Sequence, residues 1–264
     1  MFSVFQLLRP RQWCKNVFVL IPLLFSGVLE RDEFFSSVGM AWLAFICFCS
    51  WSSAVYILND ICDREKDRKH PRKKNRPLAA GKVSVSVAAC LGFFLAVLPF
   101  TGTLFGAVPF WFWVSGIFYL LNNIFYSFLF RHQVLLDVFS ISIGFVLRLL
   151  GGCVVLGVTP SQWIVICGFT LALFLGFGKR RMEIRDVSQQ DSVQEGYRLS
   201  LMHYSREFLD LLLGVSLSMC LITYMLYTMA SETVEVHQTK NLIYTVPFVF
   251  YGTFHYLWVS LHGR

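Results

Sequence analysis

Residues 35–67 read FSSVGMAWLAFICFCSWSSAVYILNDICDREKD. The stretch 35–58 is 24 residues without a charge, and about 20 apolar residues suffice for a helix that crosses a bilayer. It stops at Asn59-Asp60, and two more aspartates follow at Asp63 and Asp67. Spacings of three and four put the three carboxylates on one helical face, with Asn59 and Tyr56 at its edge. Like charges on one stripe repel each other unless a cation sits among them. Mg²⁺ suits the place, because it takes one or two carboxylates and completes its shell with water and substrate phosphates. A calcium loop is a poor match, since the turn glycine and closing Glu are missing. A solvated helix end is the plain alternative. Against it stands the next segment, His70 to Pro77, where Arg72, Lys73, Lys74 and Arg76 supply side chains suited to phosphate.

The rest of the chain repeats the apolar theme. Of its 264 residues 56% are apolar and 15% charged, against about 25% charged in soluble domains. Further apolar runs cover about 17–29, 84–103, 108–130, 135–157, 161–178, 209–230 and 241–261. Together they predict an all-α, multi-span transmembrane bundle of eight spans, one domain over residues 1–264. Pro22 makes the first run short and irregular, and Pro99 and Pro109 mark the turn between the third and fourth. No small-residue cleavage site follows the first run, so that helix is expected to stay in the mature protein. The eight Cys are scattered with no Cys-x-x-Cys pair, which argues against a zinc site or disulfide framework.

Charge sorts the loops. Of 23 Lys and Arg, 20 fall at the N-terminus, at Arg264 and in loops 59–83, 131–134 and 179–208. Arg31 and Lys240 alone lie on the other side, and Arg148 lies within a span. This bias puts the N-terminus and the long loops in the cytoplasm, with the chain in the inner (plasma) membrane. The same two long loops also collect acids, including Glu183, Asp186 and Glu195 in the second. Acids contribute little to orientation, so they call for another reason.

Two further constellations stand out. Gly178-Lys179-Arg180-Arg181-Met182-Glu183 leaves the sixth span, with Lys179 and Glu183 on one helical face. A span may end in a basic cluster for topology alone, so this pattern is weak by itself. Arg148 lies deep in the fifth span, about three turns after Asp137. An intramembrane charge is costly and usually faces the bundle interior, either to bind substrate or to tie helices together.

These segments resemble the UbiA superfamily of intramembrane prenyltransferases, whose first signature, Asn-Asp-x-x-Asp-x-x-x-Asp, is matched by residues 59–67. Several stretches resemble its polyprenyl-phosphate phosphoribosyltransferase branch: Arg9-Pro10-Arg11-Gln12-Trp13, His70 to Pro77, Tyr126-Ser127 leading to Arg131-His132, Gly144 to Arg148, Gly178 to Glu183, and Glu195-Gly196-Tyr197. Arg131 stands where such relatives usually carry Lys. The resemblance implies nine spans, the last beyond Arg264. It also implies Mg²⁺-dependent transfer of 5-phosphoribosyl from phosphoribosyl diphosphate to a polyprenyl phosphate, with Mn²⁺ as a substitute metal, feeding arabinose donors for the cell envelope. Asn59, Asp60, Asp63 and Asp67 would hold the metal, and Lys179 and Glu183 would act with Asp60 and Asp63 in catalysis. Arg72, Lys73, Arg76, Tyr126, Arg131, Arg148, Lys179, Arg180 and Tyr197 would bind substrates.

Other readings stay open. A prenyltransferase moving an isoprenoid from its diphosphate to an aromatic acceptor would share the first motif. A transporter would account for Arg148, but transporters place buried charge at midplane, whereas the acidic stripe lies at the end of a span. No nucleic-acid partner is expected, and a homo-oligomer is compatible with the sequence.

Overall fold

The computed structural model describes residues 2–25, 34–69, 73–104, 108–188 and 204–263, with helices and connecting turns but no strand among the described residues. The helices are α1 (Phe2–Leu7), α2 (Ile21–Phe25), α3 (Phe34–Cys62), α4 (Arg64–Lys69), α5 (Val85–Val97), α6 (Thr101–Leu104), α7 (Phe110–Phe128), α8 (Leu136–Val155), α9 (Gln162–Ser188), α10 (Arg206–Met229), α11 (Ser231–His237) and α12 (Val246–His262). Two compact units result. The first comprises Met1–Ser127 and Leu147–Thr159, the second Phe128–Val146 and Pro160–Arg264.

Among the described residues five helices are long and apolar enough to cross a membrane: Phe34–Cys62, Leu136–Val155, Gln162–Arg185, Arg206–Met229 and Asn241–His262. These five correspond to five of the eight apolar runs, and the count of eight is not confirmed, because the other three runs form shorter or interrupted helices among the described residues. The run at 17–29 begins within a 3-10 helix, Pro10–Leu20, and continues into α2, with 26–29 outside the described residues. The run at 84–103 gives the 13-residue α5, a 3-10 turn at Pro99, whose missing N–H interrupts the α-helical ladder, and then the short α6. The run at 108–130 gives the 19-residue α7, which carries Asn122 and Asn123.

The first unit is held by an aromatic cluster on α3 and α7. Phe48 meets Trp51 and Tyr119 edge-on, with centroids 5.1 and 5.3 Å apart. A Cβ on Gly116 would lie 2.2 Å from Trp51 Cη2, so glycine is required for α7 to approach α3 this closely. Lipid tails are as apolar as these side chains, so helices in a bilayer associate through close packing and interhelical hydrogen bonds. The outward faces are left to lipid: Phe93, Phe110 and Trp111 are largely exposed.

In the second unit α9 packs on α10. Leu209, Leu213, Leu217 and Leu221, four apart on one face of α10, bury against Phe174 and Phe177. Gly176 lets Val138 of α8 close in, since a Cβ there would lie 2.6 Å from Val138 Cγ1. The Ser205 hydroxyl accepts the Phe208 N–H at 3.1 Å and caps α10.

Candidate functional site

Each unit carries one charged cluster at the end of a long helix. In the first, the Asp-rich stripe forms as its spacing predicts. Asp63 N–H donates to Asn59 O at 2.9 Å and Asp67 N–H to Asp63 O at 2.8 Å, so the helical register continues from α3 into α4. Asp60 and Asp67 are buried, while Asn59 and Asp63 are half-buried.

Buried carboxylates need partners, and two arginines supply them. Arg76 Nη1 donates to Asp67 Oδ2 at 2.6 Å and to Asp60 Oδ1 at 3.2 Å. Arg9 donates to Asp60 Oδ1 and lies 5.0 Å over the Tyr56 ring. The N-terminal segment is fixed to α3 by Ser53, which donates to Leu8 O and accepts from Trp13 Nε1. Arg9 itself adopts a left-handed conformation, φ 51°.

The donor set fits Mg²⁺. Oxygens of Asp60 and Asp67 already converge on one cationic atom, Arg76 Nη1. Among the described residues no group of three or more His, Cys, Asp or Glu side chains forms a metal cage. A hard ion here would draw most of its shell from water and phosphate, which is the habit of Mg²⁺.

Arg148 lies in the interior of the first unit. Its Nε donates to Asn16 Oδ1 at 2.7 Å and its Nη2 to Tyr119 OH at 2.8 Å, with the guanidinium 4.7 Å over the Tyr119 ring. Asn16 is held in turn by Cys49 Sγ and Ser52 Oγ. These contacts tie the N-terminal segment, α3, α7 and α8 together.

The second cluster is built on Asp137, at the start of α8 and fully buried. Its Oδ1 accepts from Val138 N–H at 2.8 Å and Tyr204 OH at 2.9 Å, and its Oδ2 from Arg180 Nε at 2.7 Å. Arg180 is 1% exposed and also donates to Glu183 Oε2 at 2.6 Å. Lys179 is exposed, with Nζ 3.9 Å from Glu183 Oε1. The Tyr204 hydroxyl accepts from Leu135 N–H at 2.7 Å, which supports the left-handed Leu135, φ 68°. Burial is the main cause that raises the Tyr204 phenol above its ordinary value, and the Asp137 charge adds to it.

Lys179 and Glu183 therefore come together as expected. Arg180, expected to grip phosphate, points instead into the buried Asp137 pair. Lys73 and Tyr126 are half-buried in the first unit, and Arg131, half-buried in the second, donates through Nε to His132 Nε2 at 3.0 Å. Arg72 and Tyr197 lie outside the described residues. Arg9, Asn16, Asp137 and Tyr204 were missing from the expected site. The sequence places Asp137 about three turns before Arg148 without naming a partner for it, and the fold pairs it with Arg180.

The profile of the UbiA prenyltransferase family matches residues 19–262. The chain belongs to that family. It is an integral membrane protein, as the family and its apolar helices together indicate. Among relatives it is 36% identical over 187 residues to decaprenyl-phosphate phosphoribosyltransferase of Corynebacterium glutamicum, covering 67% of this chain and 53% of that one. It is 30% identical over 230 residues to the protein of the same name from Mycolicibacterium smegmatis, covering 85% and 69%. The chain thus matches about half the length of the first relative. Among solved structures, a UbiA homolog from Archaeoglobus fulgidus bound to GPP and Mg²⁺ shares the fold with a TM-score of 0.75 at 19% identity, covering 96% of this chain and 86% of that one.

Proposed function

We propose that this chain transfers the 5-phosphoribosyl group of phosphoribosyl diphosphate to a polyprenyl phosphate, with Mg²⁺, at the cytoplasmic face of the membrane. The observation that carries the reading is the exposed Lys179 beside Glu183 at the end of α9, where a two-metal prenyltransferase would present aspartates. The names of the relatives support it. A donor with both a diphosphate and a 5-phosphate, together with a phosphorylated acceptor, demands more cationic contacts than a prenyl diphosphate does.

In the reaction the C1–O bond to diphosphate breaks and its electron pair leaves with the diphosphate. An acceptor phosphate oxygen supplies the pair for the new C1–O bond. Because that oxygen is already anionic, no strong general base is required. Asp60, Asp63 and Asp67 with Asn59 would hold Mg²⁺, which would supply positive charge against the leaving diphosphate. Arg76, Lys73 and Arg72 offer phosphate contacts in the first unit. Lys179 offers a phosphate contact in the second. Glu183 accepts from a ribose hydroxyl, and Arg180 holds that carboxylate in place from below. Fixed groups of this kind stabilise developing charge without reorganising during the reaction.

Thermal protection tests the donor. In Mg²⁺, phosphoribosyl diphosphate should raise the melting temperature of the purified protein, and geranyl diphosphate should do so much less. Protection by geranyl diphosphate alone would favour prenyl transfer instead.

A further inference from the structure

Asp60 and Asp67 are each 3% exposed, and they pair with two half-buried arginines, Arg9 and Arg76, whose side chains are 25% and 30% exposed. A metal ion alone gains little there. To reach Asp60 and Asp67 it competes with Arg76, which bridges both carboxylates, and the displaced guanidinium is left beside a second cation without the anions it had paired with. Separating a buried carboxylate from its partner offsets part of what the metal gains.

A metal–diphosphate complex changes the balance. It brings phosphate oxygens with the cation, and guanidinium pairs with phosphate as readily as with carboxylate. The Arg76 side chain is 30% exposed, so it has room to turn. Its backbone stays anchored, because Ala80 N–H donates to Arg76 O at 2.8 Å and the adjoining Leu78 and Ala79 are buried.

We propose that Arg76 is an exchangeable counter-cation: it bridges Asp60 and Asp67 in the metal-free protein and moves to the donor's diphosphate when metal and diphosphate arrive together. The protein then binds metal and diphosphate as a coupled pair and takes up little metal alone. The coupling is reciprocal, so each ligand strengthens the other by the same factor. This inference rests on the assignment of Asp60 and Asp67 as metal ligands. It does not depend on which group the donor carries beyond its diphosphate.

The test is equilibrium dialysis of Mn²⁺ against the full chain in detergent, with and without inorganic diphosphate, so that the Mn²⁺–diphosphate complex formed in solution distributes equally and only protein-bound Mn²⁺ is counted. In the wild type, Mn²⁺ alone should bind weakly and diphosphate should tighten it roughly ten-fold or more, the scale of one charge-assisted contact. Arg76→Gln and Arg76→Met should tighten Mn²⁺ alone by about ten-fold and lose most of the diphosphate enhancement. Arg76→Lys, which keeps the charge, should behave more like the wild type. Unchanged or weaker binding of Mn²⁺ alone in both neutral variants overturns the exchange. If neither variant survives purification, equal wild-type affinities with and without diphosphate overturn it. Binding with diphosphate that persists undiminished in the Asp60→Asn, Asp67→Asn double variant overturns the metal assignment itself, which is a separate result.

Discussion

Arg180 Nε lies 2.7 Å from Asp137 Oδ2, and both side chains are sealed from solvent at 1% and 0% exposure. The pair joins α9 to the start of α8 and sets the charged face that Lys179 and Glu183 present. Breaking it by removing one partner leaves a buried charge behind, at a cost of about 3–5 kcal/mol. Arg180→Ala and Asp137→Ala should each lower the melting temperature in detergent markedly. The double variant Arg180→Ala, Asp137→Ala should lose less than the two single changes added together. Simple additivity would show that the pair is not energetically coupled.

Lys179 makes the contrasting prediction. It is exposed, and its carboxylate contact to Glu183 is long at 3.9 Å. Lys179→Ala should leave thermal stability near wild type while raising the donor KM about ten- to a hundred-fold, the range for a charge-assisted phosphate contact. An unchanged donor KM would remove Lys179 from the site.

How much of this was legible beforehand differs between the two clusters. The stripe Asp60, Asp63, Asp67 could be read directly, because helical spacing and the end of an apolar run are local properties. Its counter-ions could not. Arg9 is 51 residues away from Asp60, and nothing in the spacing of the N-terminal basic residues selects it. The Gly178–Glu183 segment declared its chemistry but not its orientation. Lys179 and Arg180 are neighbours in a basic run, and only the packing of α8 against α9 decides that one faces out and the other in. Tyr204 gave no signal beyond a polar side chain just ahead of α10. Five of the eight apolar runs meet the length and hydropathy of a span among the described residues, and the runs that hold Pro22 and Pro99 break into shorter helical segments.

Tyr204 predicts a pH dependence. Its phenol is pushed above the ordinary 10.0 chiefly by burial, so the folded state favours the protonated form. The stability this group contributes is fully present below pH 10 and is lost as pH rises towards the folded value. Tyr204→Phe should cost about 1–3 kcal/mol at neutral pH, because Asp137 loses a donor and Leu135 N–H loses its acceptor. It should also flatten the loss of stability seen above pH 10. An alkaline melting profile as steep as that of the wild type would contradict the assignment.

Orientation is tested by labelling. With the exposed Cys14, Cys62 and Cys90 replaced, a membrane-impermeant thiol reagent applied to intact cells should modify a cysteine introduced at Gln238 and spare one at Lys74. The reverse pattern would invert the topology drawn from the basic loops.

Transfer itself is the most direct measurement of the central claim. Purified protein is incubated with phosphoribosyl diphosphate labelled in the ribose, a short polyprenyl phosphate and Mg²⁺, and the lipid phase is extracted. The account predicts label in the lipid phase with release of diphosphate, abolished by EDTA and by Asp60→Asn in a protein that remains folded. No label in the lipid from this donor, with geranyl diphosphate consumed on an aromatic acceptor instead, would contradict it.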